Sequence, residues 1–165
     1  MNTGILYISC GVPGSGKSTF LKEMVAPDEI VISRDEIRFS LLRPGEEYFA
    51  REKETYERFT TLIRDYINNG ISVYADATHL NEKSRYSLLH KLKNKGCKPR
   101  EVNAIYFNTP LTVCLERNEL RKGTKTYVPE EQIEKMFAAY IFPEKYEGFS
   151  NIWEVSEDGN VTIIK

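Results

Sequence analysis

The chain has 165 residues and a net charge of −1, with 41% hydrophobic and 28% charged residues. This length suits one domain with its own core, and the composition excludes a disordered chain, a collagen-like repeat and a coiled coil. The longest apolar runs, of about six residues, are far shorter than a membrane span, and no signal peptide is visible. Three cysteines without disulfide or metal spacing favour a reducing compartment. We therefore expect a cytoplasmic protein that is a single domain over residues 1–165 and contacts no membrane.

Apolar runs alternate with helical patterns along the chain, which is typical of a parallel sheet with helices on both faces. The predicted strands are 5–9, 30–33, 71–75 and 102–107. The predicted helices are 18–25, 34–42, 47–69, 81–95, 110–120 and 129–140. Two further runs, 152–155 and 161–164, flank the turn signal Asp158-Gly159, and the pattern leaves helix and strand open for both. The sequence predicts an α/β fold with a parallel sheet of about five strands.

A phosphate-loop pattern follows the first predicted strand and opens a helix. Residues 11–18 read G-x-x-x-x-G-K-S in this setting of strand, loop and helix. Glycines let the backbone N–H groups turn toward phosphate oxygens, and the new helix adds its positive end. Lys17 can reach the outer phosphates, and the Ser18 hydroxyl can ligate Mg²⁺. The residues predicted to hold ATP are Gly11, Pro13, Gly14, Ser15, Gly16, Lys17, Ser18 and Thr19.

Two aspartates follow predicted strands, at the edge of a parallel sheet where ligands bind. Asp35 is a candidate general base for an acceptor hydroxyl, with a helix N-cap as the structural alternative. Asp76 is a candidate for holding Mg²⁺ through water or for orienting Asp35, with a turn as the alternative. Arg38 lies one helical turn after Asp35 and suits an acceptor phosphate, although a surface ion pair explains it too.

Two basic segments have a functional and a structural interpretation each. Segment 117–128 contains Arg117 and Arg121, which would share a helical face, and it ends in a polar break at Gly123. A small lid closing over ATP would neutralise charge on the transferred group, whereas a solvated helix end is the alternative. Segment 81–100 carries seven lysines and arginines against one glutamate. A solvated amphipathic helix explains it as well as a nucleic-acid patch does.

Four segments together resemble the kinase domain of phage-type polynucleotide 5′-hydroxyl kinases. The segments are 11–19, 33–38, 76–81 and 117–124, and the resemblance covers residues 4–140 in order and approximate separation. It implies an adenylate-kinase-like P-loop fold with a lid. It also implies that Asp35 is the general base, that Arg38 contacts the acceptor's phosphate, and that Arg117 and Arg121 belong to the lid. Beside Asp35, the expected catalytic residues are Lys17, Arg117 and Arg121.

The expected reaction is transfer of the γ-phosphoryl group of ATP to the 5′-hydroxyl of an RNA or DNA end. Arg38, Arg34, Asp76 and Thr78 are the expected acceptor-binding residues, and Ser18 and Asp76 are the expected Mg²⁺ ligands. No D-x-D-x-T phosphatase motif occurs, so we expect kinase activity only. The wider P-loop kinase family also phosphorylates small molecules. A nucleoside, sugar or antibiotic kinase is therefore the alternative, and a non-catalytic nucleotide-binding module is a third possibility.

Overall fold

A computed structural model describes residues 2–164, which form one sheet and the helices around it. The strands are Ile5–Cys10 (β1), Ile30–Ser33 (β2), Val73–Asp76 (β3), Glu101–Asn108 (β4), Asn151–Ser156 (β5) and Val161–Ile164 (β6). The helices are Lys17–Met24 (α1), Arg34–Leu41 (α2), Glu52–Asn68 (α3), Glu82–Asn94 (α4), Leu111–Glu119 (α5) and Glu130–Ala139 (α6), with a 3₁₀ turn at Lys145–Glu147.

The sheet has the strand order β2-β3-β1-β4-β5-β6. The first five strands are parallel, and β6 pairs antiparallel with β5. This confirms the predicted α/β fold, and it assigns both C-terminal runs to strands joined by a hairpin across Asp158-Gly159. Because the parallel strands run the same way, their carboxyl ends open on one edge of the sheet.

Helices cover both faces of the sheet, as predicted. Phe59 and Ile63 of α3 and Leu88 of α4 pack in the core on one face, together with the even-numbered residues of β1. Leu21 of α1 packs against Tyr74 on the other face. Each of the fully buried apolar side chains contributes about 1.5–3 kcal/mol to folding. The helix that follows the phosphate loop is thus held to the sheet by its own buried leucine.

The third predicted helix begins five residues later than its pattern indicates, at Glu52. The residues before it form turns, and the Arg51 side chain donates to Glu46 at 3.1 and 3.2 Å. This ion pair holds a folded loop where continuous helix was expected. As a result Tyr48 and Phe49 lie exposed on the loop.

The third predicted strand, 71–75, starts two residues before β3 does. The N–H of Ile71 donates to the carbonyl oxygen of Tyr66 at 3.0 Å, so this residue still belongs to the turn that ends α3. The strand instead extends to Asp76, which pairs with Ser33 of β2 in the parallel register. Asp76 therefore ends a strand and does not form a turn.

The basic segment 81–100 belongs mainly to α4, and three of its seven cations, Arg85, Lys91 and Lys95, are paired with acidic residues of the fold. Lys91 and Lys95 both pair with Glu57 of α3, at 3.1 and 2.5 Å. Arg85 of the same helix is fully buried. These contacts favour the amphipathic-helix interpretation over a nucleic-acid patch. No helix between residues 2 and 164 is both long and apolar enough to span a bilayer.

Arg85 ties α4 to two distant parts of the chain. Its Nε and Nη2 donate to both carboxylate oxygens of Glu147, at 2.8 and 3.1 Å. Its Nη1 donates to the carbonyl oxygens of His79 and Ile141, at 2.9 and 3.0 Å. The side chain of Glu147 is only 8% exposed. The buried pair therefore holds the loop after β3 and the segment before β5 against the same helix.

We expect Arg85→Ala to lower the free energy of unfolding by about 3–5 kcal/mol, because it leaves the Glu147 carboxylate buried and unpaired. Urea denaturation measures the change. The control is Lys22→Ala, which removes an exposed ion pair with Glu36 at 4.0 Å and should change stability by no more than about 0.5 kcal/mol. Equal effects of the two variants would contradict the role assigned to Arg85.

Candidate active site

The loop between β1 and α1 has the backbone that a phosphate loop requires. Gly14 and Gly16 have φ angles of +85° and +96°, which L side chains rarely adopt. A Cβ atom at Gly14 would lie 2.5 Å from the backbone oxygen of Cys114. The N–H of Gly11 donates to the carbonyl oxygen of Thr78 at 2.9 Å. The loop therefore packs against both α5 and the loop after β3, and glycine is needed where it does so.

Several polar groups of this loop suit an anion such as a phosphate. The buried Ser15 Oγ has no hydrogen-bond partner among residues 2–164. Lys17 Nζ donates to the carbonyl oxygen of Val12 at 3.1 Å. Burial lowers the pKa of Lys17, whereas the charges of Asp76 and Asp35 raise it. The N-terminal N–H groups of α1 add further donors. A bound phosphate would satisfy the hydroxyl and neutralise the lysine.

Ser18 and Asp76 form an oxygen pair beside the loop. Ser18 Oγ donates to Asp76 Oδ2 at 2.8 Å. Burial raises the pKa of Asp76, although Lys17 and Ser18 oppose this. No cluster of three or more His, Cys, Asp or Glu residues with metal-binding geometry exists in the described part of the chain. Mg²⁺ commonly binds through one or two protein oxygens with phosphates and water, so this pair fits Mg²⁺ held jointly with a nucleotide.

Asp35 lies at the start of α2, where the parallel strands end. The N-cap of this helix is Ser33, whose Oγ accepts from the N–H of Glu36 at 3.2 Å, so the N-cap interpretation of Asp35 is wrong. The side chain of Asp35 is 54% exposed. Its Oδ1 accepts hydrogen bonds from Tyr48 Oη, at 2.5 Å, and from Arg38 Nη1. No hydrogen bond from another residue in the described range reaches Oδ2, which leaves it open to a ligand.

Arg38 is 4% exposed and nearly saturated with hydrogen bonds. Its Nε and Nη2 donate to Glu52 Oε2 at 3.1 and 2.6 Å, and its Nη1 donates to Tyr48 Oη at 2.6 Å and to Asp35. Four of the five N–H groups of a guanidinium are thus used. An acceptor phosphate would bind the remaining N–H group or replace Asp35 and Tyr48. The ion pair offered as the structural alternative exists, but its arginine is buried and not at the surface.

Glu52 is a site residue that sequence reasoning missed. It accepts from Arg34 Nη2 as well as from Arg38. Burial opposes ionisation of Glu52, but the hydrogen bonds and charges of the two arginines prevail and lower its pKa. Arg34 also lies over the ring of Tyr56 at 4.7 Å. The sequence does carry a signal for this partner. Arg34 and Arg38 lie one turn apart on α2, and the next helix begins with an acidic residue.

The loop after β3 places His79 against the end of β1. His79 has a φ angle of +42° and is 5% exposed. Its Nδ1 is 2.6 Å from the carbonyl oxygen of Ser9, so this nitrogen carries the proton and donates. Burial lowers the pKa of His79 to about 4. The side chain is therefore neutral at physiological pH and supports the loop.

Arg117 and Arg121 occupy different settings. Arg117, in the last turn of α5, donates to the carbonyl oxygens of Gly14 and Glu157 at 3.3 and 3.1 Å. It therefore joins the phosphate loop to the hairpin between β5 and β6. Arg121 lies in a turn beyond the end of α5, which contradicts the expectation that the two arginines share one helical face. The charge of Arg121 is nevertheless within reach of Lys17, whose pKa is lowered mainly by burial and also by this arginine.

The basic segment 117–128 is closed at its base by Asn118. This asparagine is 2% exposed, and its Nδ2 donates to the carbonyl oxygen of Val128 at 2.6 Å while its Oδ1 accepts from the N–H of Val128 at 3.0 Å. Between these residues the chain forms turns, and Lys125 Nζ lies 5.1 Å from the ring of Phe39 on α2. The segment thus spans from the phosphate loop to α2. Its closing movement as a lid stays a prediction.

A family model described as an AAA domain matches residues 6–143. The chain belongs to this AAA domain family. It is also 27% identical over 161 residues to transcription factor bHLH140 of Arabidopsis thaliana, an alignment that covers 95% of this chain and 16% of that protein. The family match agrees with the strand, phosphate loop and helix described above, and the expected P-loop kinase fold is confirmed.

Solved structures share the fold at low sequence identity. The chain matches a component of the Pnkp1/Rnl/Hen1 RNA repair complex with a TM-score of 0.68 and 22% identity, over 84% of this chain and 44% of that chain. Kti12 of Chaetomium thermophilum in complex with ADP-AlF3 matches with a TM-score of 0.65 and 18% identity, over 94% of this chain and 90% of that chain. A sugar kinase from a Janibacter species matches with a TM-score of 0.65 and 17% identity, over 96% of this chain and 87% of that chain. These similarities establish the P-loop kinase fold and leave the acceptor open. The chain spans less than half of the RNA repair chain and about a sixth of the plant protein.

The two histidines of the chain provide a matched test of the buried site. The unfolded chain binds a proton at His79 near its ordinary pKa of 6.5, whereas the folded chain does so near pH 4. Stability should therefore fall between these values by up to about 3 kcal/mol as the pH decreases, and level off below. We expect His79→Asn, which tolerates the positive φ angle, to flatten this slope in urea titrations from pH 7 to 4. The exposed His90→Asn variant should keep it. Identical slopes in the two variants would refute the assignment.

Proposed function

We propose that this domain transfers the γ-phosphoryl group of ATP to the 5′-hydroxyl of an RNA or DNA end. The observation that supports the proposal is the contact between Asp35 and Arg38 beside the phosphate loop. Burial lowers the pKa of Lys17, and the charge of Asp35 raises it, so the carboxylate lies within electrostatic reach of that lysine. A base for a hydroxyl and a cation for a phosphate are thus held together next to the phosphoryl donor's site.

ATP would bind along the phosphate loop and the N-terminus of α1. Lys17 would exchange its contact with Val12 for the outer phosphates, and the Ser15 hydroxyl would gain a partner. Ser18 and Asp76 would hold Mg²⁺, which neutralises phosphate charge when bound. Two of the structural neighbours contain nucleotides, ADP-AlF3 in Kti12 and AMPPNP in the APS kinase CysC of Mycobacterium tuberculosis. These agree with the arrangement of the loop.

The transfer step needs a proton acceptor for the attacking hydroxyl. Asp35 Oδ2 would take that proton while the hydroxyl oxygen bonds to the γ-phosphorus and the bond from this phosphorus to the bridging oxygen of ADP breaks. Tyr48 and Arg38 fix Oδ1 and so orient the carboxylate. Burial and the hydrogen bond to Asp35 raise the pKa of Tyr48, so it remains a donor to Oδ1. Arg121 would approach the transferred group when segment 117–128 closes.

A second candidate function is phosphorylation of a small-molecule hydroxyl. The observation that favours it is the near-saturation of Arg38, because an acceptor without a phosphate would leave the contacts to Glu52, Tyr48 and Asp35 intact. The fold of a sugar kinase is similar to this one. Transfer from γ-labelled ATP to a panel of 5′-hydroxyl oligonucleotides, nucleosides and sugars separates the two functions. Preferred labelling of sugars or nucleosides over oligonucleotides would overturn the first.

We expect Asp35→Asn to lower kcat by about 10²–10⁴-fold with the best acceptor of that panel, because the general base is lost. Binding of ATP, measured by calorimetry, should change by no more than a few-fold, because Asp35 makes its hydrogen bonds to Arg38 and Tyr48 and acts on Lys17 only through its charge. The control is Glu36→Gln, which removes the neighbouring and more exposed carboxylate. A turnover of Asp35→Asn within a few-fold of that control would exclude Asp35 as the base.

The different settings of the two lid arginines lead to different expected effects. We expect Arg121→Ala to lower kcat by at least about 10-fold without a change in the melting temperature, because its guanidinium would contact the transferred group. Arg117→Ala should lower the melting temperature, since it removes contacts to Gly14 and Glu157. Lys122→Ala, which removes an exposed pair with Glu119 at 3.5 Å, is the control for charge alone. If Arg121→Ala and Lys122→Ala behave alike in kcat, the lid role is wrong.

A further inference from the structure

A group of aromatic rings lies beside Asp35, and phosphoryl transfer itself makes no use of it. The rings belong to Phe39, Tyr48 and Phe49, and we call them the aromatic surface. The ring centre of Tyr48 is 6.1 Å from that of Phe39 and 4.7 Å from that of Phe49, in edge-to-face arrangements. Tyr48 is 39% exposed and Phe49 is 62% exposed. A large apolar area is therefore open to a ligand at this point.

Two cations flank the aromatic surface. The guanidinium carbon of Arg38 lies 4.2 Å from the ring centre of Tyr48 and 5.7 Å from that of Phe49. On the other side, Lys125 Nζ lies 5.1 Å from the ring centre of Phe39. Each distance is within the range of a cation–π interaction. A ligand that combines a flat aromatic ring with negative charge would match both features.

Tyr48 connects this surface to the candidate base. Its hydroxyl donates to Asp35 Oδ1 at 2.5 Å and accepts from Arg38 Nη1 at 2.6 Å. The ring of Tyr48 thus lies directly beside the Asp35 carboxylate. Phe49 packs against the Tyr48 ring and is more exposed to solvent. A molecule whose hydroxyl reaches Asp35 would have its remaining atoms close to these two rings.

We infer that the aromatic surface stacks with the nucleobase at the 5′ end of the acceptor, an inference that rests on the proposed function. Phe49 would make the main contact, because Tyr48 is engaged by Asp35 and Arg38. Stacking on an aromatic side chain tolerates any base, since every base has a π-face, whereas a sugar has none. The surface would therefore favour nucleic-acid ends over sugars without selecting among bases.

Exposure alone does not distinguish Phe49 from other surface aromatic residues. Tyr86 is 68% exposed, and it stacks on His90 at 5.7 Å on α4. What separates Phe49 is its edge-to-face contact with Tyr48, whose hydroxyl donates a hydrogen bond to the candidate base, and its distance of 5.7 Å from the buried Arg38. Tyr86 is therefore a matched control, because it is an exposed aromatic residue outside the candidate site.

The test compares two 5′-hydroxyl oligonucleotides that differ only in whether the terminal nucleotide carries a base or is abasic. We expect the wild type to prefer the base-bearing end by about 10-fold in kcat/KM, as stacking of one base predicts. Phe49→Ala should remove this preference by slowing the base-bearing end alone, and Phe49→Trp should restore it. Tyr86→Ala should behave as the wild type, and KM for ATP should stay constant in all variants.

A fluorescence titration tests the same contact without turnover. The chain has a single tryptophan, Trp153, so Phe49→Trp adds one reporter at the aromatic surface. Addition of the base-bearing oligonucleotide should quench this added fluorescence, and the abasic oligonucleotide should quench it less. The inference would be overturned if Phe49→Ala slowed the base-bearing and abasic oligonucleotides equally, or if both oligonucleotides quenched the fluorescence equally. Transfer to 5′ ends would still support the proposed function in that case. If the wild type labels no oligonucleotide, the proposed function fails, and quenching by a nucleoside 3′-monophosphate but not by ribose 5-phosphate would still support the stacking surface.

Discussion

The parallel pairing of β1 with β3 is the constraint on which the candidate site depends. Ser9 near the end of β1 donates its hydroxyl to the carbonyl oxygens of Ala75 and Ala77, at 3.1 and 3.2 Å. This contact and the strand register bring the phosphate loop next to Asp76. Ser18 and Asp76 are 58 residues apart in the chain, and only this register brings their side chains into contact. The oxygen pair is thus a product of sheet topology more than of local sequence.

In the part of the site around Arg38, positively and negatively charged side chains are paired with one another. Two arginines of α2 share Glu52, and Arg38 also binds Asp35 and Tyr48. A buried guanidinium is tolerated only when its N–H groups are well paired, because the desolvation of a charge is costly. The pairing fixes the position of the Arg38 guanidinium. A phosphate that entered this site would compete with these partners, so its binding energy would be smaller than at an arginine without them.

The sequence predicted the parts of the molecule that local rules determine. The phosphate loop follows from glycine and helix chemistry over eight consecutive residues, and the parallel sheet follows from alternating apolar runs. The predicted helix 47–69 includes Tyr48 and Phe49, whereas the Arg51–Glu46 pair holds a loop there. Glu52 and the end of α5 before Arg121 were missed for a related reason. Both are set by contacts between segments, which periodicity along one segment does not reveal.

The hydrogen bonds between Asn118 and Val128 have a consequence for how this protein can vary. The Asn118 side chain holds the backbone of Val128, so the two ends of the intervening turns stay close together. The rest of the domain is therefore independent of the length of these turns. A longer or different insert would change the entropy of closing the loop only slowly, by about 0.6 kcal/mol for each doubling of its length. This stretch can therefore change in length or charge while the sheet and the phosphate loop stay as they are.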